Sequence, residues 1–136
     1  MIDFVNETDF ACNLTPLIAI AQSLSDRSIE LVLTDDSAMR EINKTARGVD
    51  KPTDVLSFPI ADFPLAPLGS VVISIDAAVK QAQALRHSVE LEIAVLFLHG
   101  VLHLLGFDHE IDGGEMARRE TELRERFNLP AALTER

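Results

Sequence analysis

Only one cysteine, Cys12, stands among the 136 residues. An internal disulfide is therefore excluded, and this usage suits a reducing compartment. Cys12 itself reads as a small, partly buried apolar residue. The opening Met1-Ile2-Asp3-Phe4 lacks a basic segment followed by an apolar stretch, so no secretory signal is recognised. Long apolar runs are missing too. The longest, residues 93–98, is too short for a bilayer and is bounded by Glu90, Glu92, His99 and His103. Repeats, low-complexity tracts and linkers are absent. Positive charge is scarce: 12 Lys and Arg face 22 Asp and Glu, a net −10. Such a balance repels phosphates at long range, so composition does not argue for a nucleic-acid partner. The expectation is one soluble, cytoplasmic domain spanning residues 1–136, with no membrane partner. Apolar residues make up 47%, enough for a core without disulfides or a structural metal. A metal in this chain is then expected to be catalytic rather than a folding staple.

The charge is unevenly spread. Between Arg40 and Lys51 four basic residues (Arg40, Lys44, Arg47, Lys51) face two acids (Glu41, Asp50), a local +2. Residues 2–5 suggest a short strand. Thr15-Pro16 suggests an N-cap followed by proline at the first helical position, with the helix reaching Leu24. Alternation of Ile29, Leu31 and Leu33 gives a strand. Asp35 or Asp36 caps the next helix, with Met39, Ile42 and Ala46 inward and Gly48 ending it. Residues 55–60 form a short strand, Pro64 and Pro67 mark a loop, and residues 68–75 form a strand buried on both faces. Asp76 caps a helix to Leu85. Ser88 caps another that runs to Leu105, apolar nearly all round and hence the central buried helix. Residues 115–127 make a charged amphipathic helix. The class expected is α+β: a mixed sheet of about four strands packed with helices around that central helix. Strand order cannot be derived.

Three of the four histidines fall within eleven residues, His99 to His109. His99 and His103, four apart on one helix, share a face one turn apart. Gly106 then lets the chain leave the helix with positive φ and bring His109 back. Three protein ligands leave a fourth position open, the catalytic arrangement. Imidazole ligands suit zinc, copper, iron or nickel, and zinc brings the pKa of a water ligand to about 7. One zinc per chain on His99, His103 and His109 is the expectation. The fourth histidine, His87, reads as an ordinary surface or structural residue. The spacing H-x3-H-x5-H also belongs to zinc proteases, where a glutamate after the first histidine is the base. Gly100 stands there instead, which supports the metal and argues against peptide cleavage.

His99-Gly100-x-Leu102-His103-Leu104-x-Gly106-Phe107-Asp108-His109 resembles the histidine motif of the YbeY family of endoribonucleases. Asn43, Arg47, Asp50 and Pro52-Thr53-Asp54-Val55-Leu56-Ser57-Phe58-Pro59 resemble a second block of that family, and Leu68-Gly69-x-Val71-x-Ile73-Ser74 a third. His87-Ser88, Glu92, Met116 and Glu120 also fall where the family places such residues, so the similarity covers roughly residues 30–127. The resemblance implies an α+β domain with zinc on three histidines. It also implies single-strand-specific cleavage of RNA, in 16S rRNA 3′-end maturation and ribosome quality control. Single-stranded rRNA, the small subunit, its proteins and assembly factors are then the partners.

The resemblance also makes Arg47 functional. A guanidinium can grip a phosphate bidentately and offset charge in the transition state. The candidate catalytic set is Arg47, His99, Asp54 and Asp108. Asp54 is equally readable as a turn cap, Asp108 as a turn residue or as the partner of a ligand histidine, and Ser57 as strand packing. Departures from the family are Ser70 in place of an acid, Ala46 in place of an aromatic, and Phe107 in place of tyrosine. If that acid orients water at the metal, the base must be Asp54, Asp108 or the water itself. Two other readings stay open. One is a metallohydrolase of peptides or small molecules. The other is a non-catalytic zinc-containing ribosome assembly factor that docks through helix 115–127.

Overall fold

In chain order the elements are β1 (Ile2–Asn6), α1 (Thr15–Leu24), β2 (Ile29–Thr34), α2 (Asp36–Arg47), β3 (Val55–Pro59), β4 (Gly69–Ser74), α3 (Ile75–Leu85), α4 (Val89–Leu104), α5 (Glu115–Arg126) and a 3-10 turn, Leu133–Glu135. They come from a computed structural model that describes residues 1–61 and 65–136. Of the two prolines expected to mark a loop, Pro67 is exposed just before β4, and Pro64 lies outside the described residues.

The four strands form one mixed sheet in the order β1-β2-β4-β3. β1, β2 and β4 run parallel, and β3 returns antiparallel to β4. The parallel members need crossovers, which α1 and α2 supply, whereas β3 reaches β4 without a helix. Leu31 pairs with Val71 and Leu33 with Ile73, and all four are buried on the α4 side. Leu56 and Val72 face the other way, against Met39 of α2. α2 and α4 thus cover opposite faces, and β3 is the sheet edge between them. The chain is an α+β domain, as the pattern suggested.

Every residue of α4 from Glu92 to Leu102 is buried. Each fully buried aliphatic or phenylalanine side chain contributes about 1.5–3 kcal/mol relative to exposure, so this helix anchors the core. Its one buried acid is satisfied: Glu92 accepts from both Arg136 guanidinium nitrogens at 2.7 Å and meets His87 Nε2 at 2.6 Å. His87 is structural, as expected. Ser88 caps α4 by accepting from Leu91 N at 3.1 Å. Cys12 is half-buried beside Pro16, Leu17 and Ile93, and burial, then nearby Glu90, pushes its thiol pKa up.

Three local expectations are corrected. Thr15 does not cap α1: the cap is Leu14, without a side-chain bond, because Asn13 Oδ1 accepts from Thr15 N at 3.1 Å and starts the turn one residue early. Asp76 does not cap α3. Strand β4 runs straight into that helix, so buried Ser74 caps it, accepting from Ala77 N at 3.2 Å, while Asp76 accepts from Asp36 N at 2.8 Å. Ala46 is exposed rather than inward, and the buried positions on α2 are Met39 and Asn43, whose Nδ2 donates to Lys51 O at 2.8 Å. Asp35 does cap α2, accepting from Ala38 N at 2.8 Å, and Gly48 ends it in the left-handed region.

Candidate metal centre

Because α4 is buried on nearly every side, its two histidines are set by a rigid helix and not by a loop. The His99 and His103 ring centroids lie 4.7 Å apart. Gly106, at φ 96°, turns the chain back after the helix and delivers His109 at 5.3 Å from His99 and 5.5 Å from His103. One nitrogen of each ring lies within 4.8 Å of the other two. The three histidines are positioned to hold a metal ion. Exposure rises along the set: His99 is buried, His103 half-buried and His109 exposed, so the ion would face the solvent on one side.

The donor chemistry fits. His99 Nε2 and His103 Nε2 are 3.1 Å apart, close to the roughly 3.3 Å that two nitrogens adopt on one tetrahedral zinc with bonds of 2.0–2.1 Å. His99 Nδ1 sits 2.7 Å from Glu120 Oε2. The hydrogen therefore belongs on Nδ1, and the Nε2 lone pair is free for an ion. Burial first, and then the neighbouring His99, lower the His103 pKa, against the opposing hydrogen bond to the Phe107 backbone. That keeps this ring neutral and able to ligate.

Glu120 is fully buried on α5, in line with Met116 and Leu123. Its second oxygen, Oε1, accepts from Thr134 N at 2.9 Å and Thr134 Oγ1 at 3.1 Å. Burial pushes the Glu120 carboxyl up, but His99 and Thr134 outweigh it and leave the pKa below its ordinary value. The sequence placed Glu120 only by resemblance. The signal for its role was an acid inside the apolar stripe Met116-x3-Glu120-x2-Leu123, where an exposed residue would not sit. The 3-10 turn carrying Thr134 had no expectation attached.

Histidines and Arg47 open onto one cavity of about 680 Å³, walled by residues 53–57, Pro59, Phe107, Asp108, Leu133 and Thr134. Arg47 ends α2 and comes from the opposite face of the sheet. Its side chain is exposed, and no described residue bonds it. Arg40, by contrast, is paired with Asp50 at 2.7 Å, so the basic stretch has fewer free charges than its composition suggests. Asp54 reaches the cavity wall with both oxygens engaged, Oδ1 accepting from Val55 N at 2.8 Å and Oδ2 from Gln81 Nε2 at 3.2 Å. Asp108 lies on the wall and accepts from Glu110 N at 3.0 Å through Oδ1. The carboxylate that holds a ligand histidine is Glu120, not Asp108.

Three positions, Gly100, Ser57 and Ser70, gain meaning in three dimensions. A Cβ on Gly100 would meet Val71 Cγ1 at 2.7 Å and Ser57 Oγ at 3.2 Å, so this residue lets α4 lie directly on the sheet, and Ser57 Oγ donates to Gly100 O at 2.9 Å. Ser70 shares the sheet face of Val72, away from α4, and donates to Glu30 Oε1 at 2.8 Å. An acid there would point away from the histidines, so its replacement removes nothing from the centre.

The family model for Endoribonuclease YbeY matches residues 7–128. A curated Endoribonuclease YbeY from Nautilia profundicola is 53% identical over 133 residues, covering 98% of this chain and 96% of that one. Another from Helicobacter pylori is 52% identical over 137 residues, covering 100% and 98%. The solution structure of TM1509 from Thermotoga maritima superimposes with a TM-score of 0.66 at 26% identity, covering 93% of this chain and 89% of that one. With its three histidines, the Pro52–Pro59 block and these full-length matches, the chain belongs to the YbeY family of endoribonucleases.

Proposed function

We propose that this protein is a zinc-dependent endoribonuclease that cuts single-stranded ribosomal RNA in the cytoplasm, in 16S 3′-end maturation and quality control of the small subunit. One observation carries the reading: three histidines positioned to hold a metal and a guanidinium, Arg47, without a partner among the described residues, open onto the same cavity from opposite faces of the sheet. Two cationic groups facing one cavity suit a phosphodiester better than a peptide, whose scissile carbonyl carries no charge. Gly100 also gives no support to peptide cleavage, because the position that would carry a protease base is packed against Val71.

His99, His103 and His109 hold the metal, which, when bound, supplies a Lewis acid for a phosphoryl oxygen or lowers the pKa of water. Arg47 grips the phosphate bidentately and offsets the charge that builds on it. Asp108 accepts the proton of the attacking hydroxyl. Asp54 shapes the cavity rim through its bonds to Val55 and Gln81. The attacking group is water or the RNA's own 2′-OH. End-group analysis separates the two, because a cyclic phosphate product excludes water as the first nucleophile.

The test is metal analysis paired with cleavage of single-stranded RNA by wild type, His103→Ala and Arg47→Ala. The first variant is expected to lose metal and activity. The second keeps metal and loses cleavage about 10²–10³-fold. Normal cleavage by Arg47→Ala refutes the phosphate clamp. A His103→Ala protein that lacks metal yet sustains ribosome maturation would favour the non-catalytic assembly role.

A further inference from the structure

The cavity reaches from the histidines on one face of the sheet to Arg47 on the other, so it must pass over the sheet edge between them, which is β3. In an antiparallel pair alternate residues bond to the neighbour strand and the rest turn their N–H and C=O outward. Asp54 O accepts from Ser74 N at 2.9 Å, and Ile60 N donates to Leu68 O at 3.1 Å. These bonds bracket the register in which Val55 lies opposite Ile73, Ser57 opposite Val71 and Pro59 opposite Gly69. The even-numbered residues therefore bond β4, and Val55, Ser57 and Pro59 face out of the sheet. All three line the cavity.

Their donors are not equal. Val55 N–H is held by Asp54 Oδ1 at 2.8 Å, and Pro59 has no N–H. Ser57 N–H is the one outward amide of the strand without a partner among the described residues. A single donor between two groups that cannot donate makes a poor edge for a second strand. It makes a good contact for one anionic oxygen.

We infer that the Ser57 backbone N–H is a phosphate-binding group of the substrate cleft, donating to a non-bridging oxygen of the single-stranded RNA that lies along β3 between the metal centre and Arg47. This rests on the reading of the protein as an RNA-cleaving enzyme. It assigns the contact to the main chain, where no side-chain substitution at position 57 other than proline removes it. The Ser57 hydroxyl is already committed to Gly100 O, so it does not compete for the phosphate.

The experiment uses zinc-loaded protein and a single-stranded oligouridylate, with binding read by fluorescence anisotropy. Ser57→Ala is the reference, since it loses the Gly100 bond but keeps the amide hydrogen. Ser57→Pro loses both, on a strand that already tolerates proline at position 59. Binding by Ser57→Pro is expected to be weaker than by Ser57→Ala about tenfold or more, the size of one hydrogen bond to a charged group. An oligonucleotide with a neutral methylphosphonate at the contacted position should bind Ser57→Ala more weakly and Ser57→Pro no more weakly than the natural one does. Should Ser57→Pro fold poorly, an ester in place of the 56–57 amide deletes the hydrogen, weakens only the Leu56 carbonyl as an acceptor, and is expected to show the same loss. Equal affinities of Ser57→Ala and the proline or ester protein, each with full zinc, overturn the inference and leave RNA binding intact. If wild type and Ser57→Ala both ignore RNA, the functional reading fails and takes this inference with it.

Discussion

Replacing Glu120 by glutamine tests whether the metal centre depends on a carboxylate that never reaches the metal. Glu120 is fully buried and receives three hydrogens: one from His99 Nδ1 at 2.7 Å, and two from Thr134 at 2.9 and 3.1 Å. Both oxygens must accept. A glutamine of the same size offers one accepting oxygen and one NH2 group, so either His99 or the Thr134 amide faces a donor. If the oxygen stays with His99, the bond survives without its charge, and charge-assisted bonds are roughly twice as strong as neutral ones. If it stays with Thr134, the Nδ1 hydrogen of His99 loses its partner and the ring can turn. Either outcome lowers the basicity or the alignment of His99 Nε2. Loss of such a supporting carboxylate typically weakens metal binding about 10–100-fold, or about 1.4–2.7 kcal/mol. Leaving a buried donor unpaired costs a further 1–3 kcal/mol or so of fold stability. The assay is a zinc titration against a chromophoric chelator, with ¹⁵N chemical shifts of His99 reporting which nitrogen is protonated. Zinc affinity within twofold of wild type, with the His99 tautomer unchanged, would refute the reasoning.

Other substitutions follow from the same contacts. Gly100→Ala puts a methyl 2.7 Å from Val71 Cγ1 and is expected to destabilise the fold by about 1–3 kcal/mol through overpacking; an unchanged denaturant midpoint would contradict it. Arg136→Ala leaves Glu92 buried with only His87 beside it, at a cost of about 3 kcal/mol, read by urea unfolding. Glu135 pairs with Arg124, which, with the Ala132 backbone, lowers its carboxyl from 4.5 to about 2. A depressed carboxylate stabilises the fold above its unfolded pKa, and the effect fades as pH falls from 4.5 towards about 2. At a pair roughly a quarter exposed, solvent screening discounts the contribution to about 1 kcal/mol. Glu135→Gln should thus lower stability at pH 7 by about that much, and the gap to wild type should narrow below pH 4.5; a gap that widens there would contradict the pairing.

What the sequence disclosed follows from where its information is local. The apolar circumference of α4 announced a central helix, Ser88 and Asp35 announced caps, and three histidines at helical and turn spacing announced the centre. Thr15 and Asp76 misled because a turn is set before each of them: Asn13 accepts from Thr15 N and leaves Leu14 as a cap without a side-chain bond, and Ser74 takes the cap of α3. Ala46 misled because α2 rolls Asn43 into the buried place, where its amide ties down Lys51. Strand order and the cavity that crosses the β3 edge are non-local. The link from His99 through Glu120 to Thr134 joins residues 99, 120 and 134, and only the folded chain brings them together.

The close seat of α4 on the sheet bears on how such a protein can diverge. Its histidine spacing lies one residue type away from that of a zinc protease, and on paper Gly100→Glu would complete the set. In the fold, even the first carbon of that side chain would overlap Val71. Acquiring the glutamate would require the helix to lift from the sheet, which would disturb the edge strand, the glycine turn and the ligands together. The two activities are neighbours in sequence and far apart along any path of single, viable substitutions.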